Sequence, residues 1–318
     1  MVAPMQVVPP LPAAVLPAKL QTGKEILDLV KELAANDPER IKVTKLRNVT
    51  EQARVAAENY TRKAGPQRAQ FTDYKDYVDA YTIWNNEYKR LSGVYDDAKT
   101  KLYAANFNVN EKIKQLLKFP TPATLTLDVI SKGKKLQAQQ VEGVAWVESI
   151  INPDIVPDKT KFGTQIQYNK KGGAFYRRKF GSNKSIIEMD SADVETIVHE
   201  LGHFIDEETI ITLRLDANTT YQRKTANQTH RFYRERTVGD SFEQLKKEFP
   251  VFDYKPQDRF KRDKWRTVYT GRDYNVSDAS EILSTGLEFL YMDAVGFSEF
   301  DPQHFEVVVN AIRGIETP

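Results

Sequence analysis

Cysteine is absent from the 318 residues. No disulfide can form, and no thiolate is available as nucleophile or metal ligand. The absence fits an intracellular origin without forbidding release from the cell. Neither sign of charge dominates: 46 basic and 44 acidic side chains leave a net charge of +2, too little to draw a nucleic-acid backbone. No apolar run approaches the roughly 18 residues that a membrane span needs. Met1 to Pro17 is apolar, but it carries five prolines and no basic leader, so it reads as an extended polyproline-like arm and not as a secretory signal. Histidine is also scarce, with only His199, His203, His230 and His304.

Two of those four stand in the run His199-Glu200-Leu201-Gly202-His203. Four residues apart on a helix, the imidazoles lie about 40° apart around the axis, and Glu200 projects about 100° from His199. One turn of helix thus offers two ligands for one metal and a carboxylate beside it. Val194, Ile197, Val198, Leu201 and Ile205 form an apolar stripe on the opposite side of the same helix. The helix is therefore predicted to bury one face in a core and to turn the histidine face toward a cleft.

A hydrolytic zinc takes three protein ligands and keeps one position open. A third histidine six residues after His203 is missing, since Thr209 occupies that place. The segment Ser277 to Glu288 reads as a second helix opened by Ser277 or Asp278, with Glu281 and Glu288 on one face. The two carboxylates lie about 10 Å apart along the axis, so one zinc cannot take both. As the fourth residue from Asp278, Glu281 also has the spacing of a capping box.

With these residues the chain resembles the gluzincin peptidases, whose third ligand is a glutamate on a helix downstream of HExxH. Within them it is most similar to the anthrax lethal factor type, through the run His199 to His203 followed by Phe204-Ile205-Asp206, and through Tyr274 seven residues before Glu281 with Gly271-Arg272 upstream. The stretch Glu281 to Glu288 also resembles metallopeptidase domains of phage head-morphogenesis proteins. The resemblance covers about residues 160 to 318 and leaves the first 120 or so untouched. It implies His199, His203 and Glu281 as ligands of Zn2+, Glu200 as the general base, and Tyr274 as hydrogen-bond donor to the oxyanion. Tyr269 is a rival for the last role, and Arg272 offers the same help by charge. Asp206 has the position of a residue that orients a ligand histidine, or of a solvated helix residue. His230 and His304 lack partners at ligand spacing and are read as structural or exposed.

Around the motif, Gln165 to Tyr168, Ala174 to Arg177 and Ser185 to Met189 read as strands, with Gly172-Gly173 and Gly181-Ser182-Asn183 as turns. In zincins an edge strand beside the active helix pairs with extended substrate, and these strands are the candidates. Asp190 or Ser191 is the expected cap of the motif helix, with Asp193 and Glu195 near its start. Arg259 to Arg266 is strongly basic and reads as a solvated loop or helix face.

Upstream, Ile26, Leu27, Val30 and Leu33 mark a helix closed near Asp37-Pro38. Tyr74, Tyr77, Val78, Tyr81, Trp84, Tyr88, Leu91 and Tyr95 mark the seam of a helical hairpin or bundle, expected to be core. Asn108 with Glu111 predicts a separate short helix ending before Pro120, and Phe119-Pro120-Thr121-Pro122 the domain boundary. Leu136, Val141, Val144, Val147 and Ile150 or Ile151 predict a further helix stopped at Asn152-Pro153.

The expected architecture is α+β: a Pro-rich arm over residues 1–20, an all-helical module over 21–119, and a zincin-like metallopeptidase domain with a small sheet over 120–318. The expected function is a zinc-dependent endopeptidase that hydrolyses peptide bonds through a metal-activated water, with Glu200 as base. Protein or peptide is its substrate, nucleic acid and membrane are excluded as partners, and the arm and helical module are left to dock a partner. A rival reading is a non-catalytic structural or docking component of a phage particle or injection machine that retains the zincin fold. Another is a toxin-like effector delivered into a second cell. The expected location is cytoplasmic or virion-associated, or the interior of that second cell.

Overall fold

The computed structural model describes residues 21–63, 65–125, 127–129, 134–156, 163–168, 174–178, 184–189, 193–215, 228–248, 254–255, 257–274 and 280–317. The Pro-rich arm, both predicted glycine turns and the expected caps Asp190, Ser191, Ser277 and Asp278 lie outside them.

Helix α1 (Gly23–Ala35) begins where Thr22 and Glu25 cap each other reciprocally, satisfying two N–H groups that the first turn leaves over. Gly23 is required there, because a Cβ at this position would stand 2.3 Å from the carbonyl oxygen of Glu306. Helix α2 (Arg40–Arg62) and the N-terminal half of α3 (Tyr74–Leu117) pack as a hairpin. The aromatic seam lies on α3 as predicted, but it is not core: its rings stack in series from Tyr74 to Tyr88, and Tyr74 and Tyr81 remain 66% and 44% exposed. The expected separate helix at Asn108 does not exist, since α3 runs unbroken for 44 residues. Asn106 and Asn110, on either side of Asn108, donate from buried positions to the Asp293 carboxylate and the Met292 carbonyl.

Past the Pro120 step come β1 (Leu127–Val129), α4 (Lys134–Ile150), β2 (Gly163–Tyr168), β3 (Phe175–Arg178) and β4 (Lys184–Met189). The three predicted strands are present, joined by β1 into a sheet of order β1-β2-β4-β3. β1, β2 and β4 run parallel, and β3 closes the sheet as an antiparallel edge. Ser185, Ile187 and Met189 alternate inward on β4, over the motif helix α5 (Val194–Leu215). On α4, Val144, Val147 and Ile150 face inward as predicted, but Val141 points to solvent and Gln140 takes the buried place.

The remainder comprises α6 (Gln228–Arg236), a small antiparallel sheet of β5 (Phe242–Gln244), β6 (Arg259–Lys261) and β7 (Arg272–Asp273), and two C-terminal helices, α7 (Ile282–Phe300) and α8 (Pro302–Arg313). The basic stretch therefore forms strand β6 and the turn after it, in place of a solvated helix face. Its arginines are paired, Arg259 with Asp273, Arg262 with Glu243 and Glu248, and Arg266 with Asp293. Helix α8 is punctuated as its sequence suggests: Asp301 caps it, Pro302 opens it, and Gly314 ends it in the left-handed region at φ 67°.

One hydrophobic cluster joins these parts. It takes Ile26 and Val30 from α1, Ile113 and Leu117 from α3, Ile197 and Leu201 from α5, Leu287 from α7 and Phe305 from α8, thus drawing on both sides of the Pro120 step. The fold is α+β, and no described helix is long and apolar enough to cross a membrane.

Candidate metal centre

α5 and α7 pack against each other at the centre of this core, and their closest approach is at Gly202. A Cβ there would lie 2.5 Å from Ser284 Cα and 2.9 Å from Ser284 N. The glycine inside the motif thus lets backbone meet backbone, and it is this approach that carries the start of α7 to the histidine face of α5. The apolar stripe lies on the other side as predicted, with Ile197, Val198 and Leu201 fully buried.

Nε2 of His199 lies 3.3 Å and Nε2 of His203 3.1 Å from Oε2 of Glu281. One ligand atom from each of the three residues falls within 4.8 Å of the others. A tetrahedral ion with N and O donors at about 2.0–2.1 Å separates neighbouring donor atoms by about 3.4 Å, so the spacing suits one such ion. Glu281 is the N-cap residue of α7, yet its side chain makes no capping bond. It accepts instead from Ser284 Oγ at 2.7 Å and from the Tyr274 hydroxyl. Burial alone would raise this carboxyl, but the facing imidazoles hold it well below the ordinary carboxylate range. Burial likewise acts to lower His199, and the carboxylates of Glu281 and Glu288 override it, holding the imidazolium well above its usual range. His199, His203, Glu281 and Glu288 form a compact set of ion pairs.

Glu200 is buried, and its Oε2 has no hydrogen-bond partner among the described residues. Burial raises its carboxyl, opposed by both histidines, and the peptide N–H of Tyr176 on edge strand β3 donates to it. An orphaned carboxylate oxygen is costly inside a protein. Its position beside two ligand-type histidines gives that cost a functional reading, as a base kept ready for a proton.

Tyr274 and Tyr269 both reach the site. The Tyr269 ring lies 6.0 Å from the His199 ring and the Tyr274 ring 6.3 Å from that of His203. Arg272 donates to the Tyr269 hydroxyl at 2.9 Å and stacks 4.6 Å from the centre of the Tyr274 ring. Asp206 is buried and accepts from Thr229 Oγ1 at 2.9 Å, so it is not a solvated residue. His230 and His304 are buried and are not part of the clustered group of His199, His203 and Glu281.

Glu288, which the sequence placed on the face of Glu281 without a role of its own, also reaches the site. Its Oε2 lies 3.2 Å from Nδ1 of His199, the place of an outer carboxylate that fixes a ligand histidine's tautomer and ring plane. The signal was available, because a glutamate two turns beyond Glu281 faces the same side, and α5 places His199 one turn before His203.

Comparisons with protein-family models, curated proteins and solved structures found no match to this chain.

Proposed function

We propose that the chain is a zinc-dependent endopeptidase of the gluzincin type. The observation that supports this reading is the convergence of His199, His203 and Glu281 from two helices, with the buried, half-satisfied carboxylate of Glu200 beside them. Two imidazoles and a carboxylate are a donor set of catalytic zinc, which when bound lowers the pKa of its water toward 7 and polarises a carbonyl.

The chain's own groups supply the rest. Glu200, its affinity for protons raised by burial, takes the proton of the attacking water and passes it to the leaving amine. The cluster of Tyr269, Arg272 and Tyr274 supplies the donor for the developing oxyanion, worth about 2 to 4 kcal/mol when the geometry is matched. To serve in this way Tyr274 gives up the bond it donates to Glu281, whereas the Tyr269 hydroxyl accepts from Arg272 and keeps its own proton to donate, so both tyrosines stay candidates. The substrate backbone runs along the outer edge of β3, the strand that touches the base through Tyr176.

A structural zinc clamp between α5 and α7 needs the three ligands but has no use for Glu200. The test is elemental analysis and turnover of an unstructured protein substrate by wild type and Glu200→Gln. One zinc per chain in both, with cleavage by wild type alone, is expected. Zinc in both with equal cleavage would remove Glu200 as base, and zinc without any cleavage would leave the clamp.

A further inference from the structure

A cavity of about 290 Å³ opens between the hairpin and the metal centre. α3 contributes Tyr95, Lys99 and Leu102 to its walls, α2 contributes Arg47 and Arg54, and α7 contributes Glu288 and Phe289, with Arg266 and Thr267 closing one side. Two links tie it to the candidate metal site. Glu288 lines the cavity and contacts His199, and Thr267 stands two residues before Tyr269, whose ring faces His199. A peptide held at the metal has this hollow immediately beside it. Its volume lies at the low end for ligand pockets, the scale of one side chain more than of a cofactor.

Four cations line the cavity, Arg47, Arg54, Lys99 and Arg266, against three carboxylates, Glu51, Glu288 and Asp293. The carboxylates are engaged: Asp293 by Arg47 and Arg266, Glu51 by Arg54, and Glu288 by His199. Among the cations, Arg47 bridges Asp293 and Glu299, and Arg54 bridges Glu51 and Glu58. Among the described residues Lys99 has a single ion pair, to Glu195 at 3.2 Å, which leaves donors of its ammonium for a ligand. Burial acts to lower Lys99, but Glu195 and Tyr95 keep it above the usual lysine value, so it stays charged. Arg266 lies across the cavity, oriented by Asp293 and stacked 4.9 Å from the centre of the Phe289 ring.

We propose that this cavity is a specificity pocket for an acidic side chain of the substrate, with Lys99 and Arg266 as the residues that select it. The assignment rests on the peptidase reading, since that reading makes the neighbouring site a place where peptide lies. Aromatic and aliphatic walls exclude water around the stem of a glutamate, and the two cations meet its carboxylate with charge-assisted hydrogen bonds. Substrate selection is thereby shared between Lys99 on the helical hairpin, which the family resemblance does not reach, and Arg266 outside it.

Equilibrium binding tests this without turnover. The zinc-loaded full chain carrying Glu200→Gln is titrated with a capped peptide containing one central glutamate, with its glutamine counterpart and with its lysine counterpart. The glutamate peptide is expected to bind at least tenfold tighter than the glutamine peptide, and Lys99→Gln should bring the ratio close to one while zinc content and melting temperature stay put. Arg266→Lys, which keeps the charge opposite Asp293, should reduce the ratio only in part. Equal binding of the three peptides, or preference for lysine, would overturn the pocket assignment and leave the peptidase reading intact. Glutamate preference in a chain whose wild type cleaves nothing would retain the acidic site and sink the peptidase reading. Failure of all three peptides to bind would overturn both.

Discussion

Glu288 separates a metal site that is merely assembled from one that is held. His199 presents Nε2 to the cluster and Nδ1 to Glu288 at 3.2 Å, so the carboxylate fixes which ring nitrogen carries the proton and how the ring is turned. Outer carboxylates of this kind change metal affinity by about 10- to 100-fold. Glu288→Ala is expected to weaken zinc binding by that factor, and Glu288→Gln, which still accepts from Nδ1, by less. Competition against a chromophoric chelator measures both. Unchanged affinity in the alanine variant would mean that the contact does not position His199. At this scale the placing of His199, Glu200 and His203 on one turn of helix was legible, because four-residue spacing on a helix is a local property. Glu281 was legible only as one of two same-face glutamates, and the choice between them depends on where another helix crosses. Glu288 was seen but set aside, since spacing along one helix reveals ligands and says nothing about the groups behind them.

At the scale of elements, periodicity recovered α5, α4 and three of the four strands of the first sheet. The break predicted near Asn108 is absent for a tertiary reason: α3 continues because Asn106 and Asn110 are held by Asp293 and Met292 on α7, contacts that no window of local sequence contains. The start of α7 was predicted a few residues early, because Glu281 resembles a capping residue while its side chain belongs to the cluster. The packing of α5 on α7 gives a prediction whose sign is informative. In an open helix Gly→Ala stabilises by about 1 kcal/mol. At Gly202 the added methyl would sit 2.5 Å from the Ser284 backbone, and overpacking of this kind costs about 1–3 kcal/mol. Gly202→Ala should therefore lower the melting temperature and loosen zinc, because pushing the helices apart moves Glu281 away from His203. A higher melting temperature with zinc retained would show that the helices do not cross so closely.

For the whole molecule, the one core that joins α1, α3, α5, α7 and α8 makes the metal centre part of the folding unit, and His304 connects the two. Fully buried on α8, it donates from Nε2 to the carbonyl of Ile282 at 2.7 Å, next to Glu281. An imidazole facing a carbonyl oxygen is the donor, so the neutral ring carries its proton on Nε2 and leaves Nδ1 without a partner. Phe297 and Phe289 pack around it. Burial lowers its pKa to about 4, and the Asp301 charge offsets this only in part. A histidine whose pKa is depressed by folding takes up its proton more readily when unfolded, so its linkage penalises the native state as pH falls. The stability difference is absent above the ordinary value of about 6.5 and grows as pH falls toward 4, reaching about 2 kcal/mol near pH 5. His304→Gln can keep the bond to Ile282 while removing the titration. Urea unfolding of the metal-free chain at pH 7 and pH 5 should then show wild type losing about 2 kcal/mol more than the variant between the two conditions. Equal losses would mean that His304 is charged or solvated in the native state, and acid sensitivity would have to come from the carboxylates of the metal centre instead.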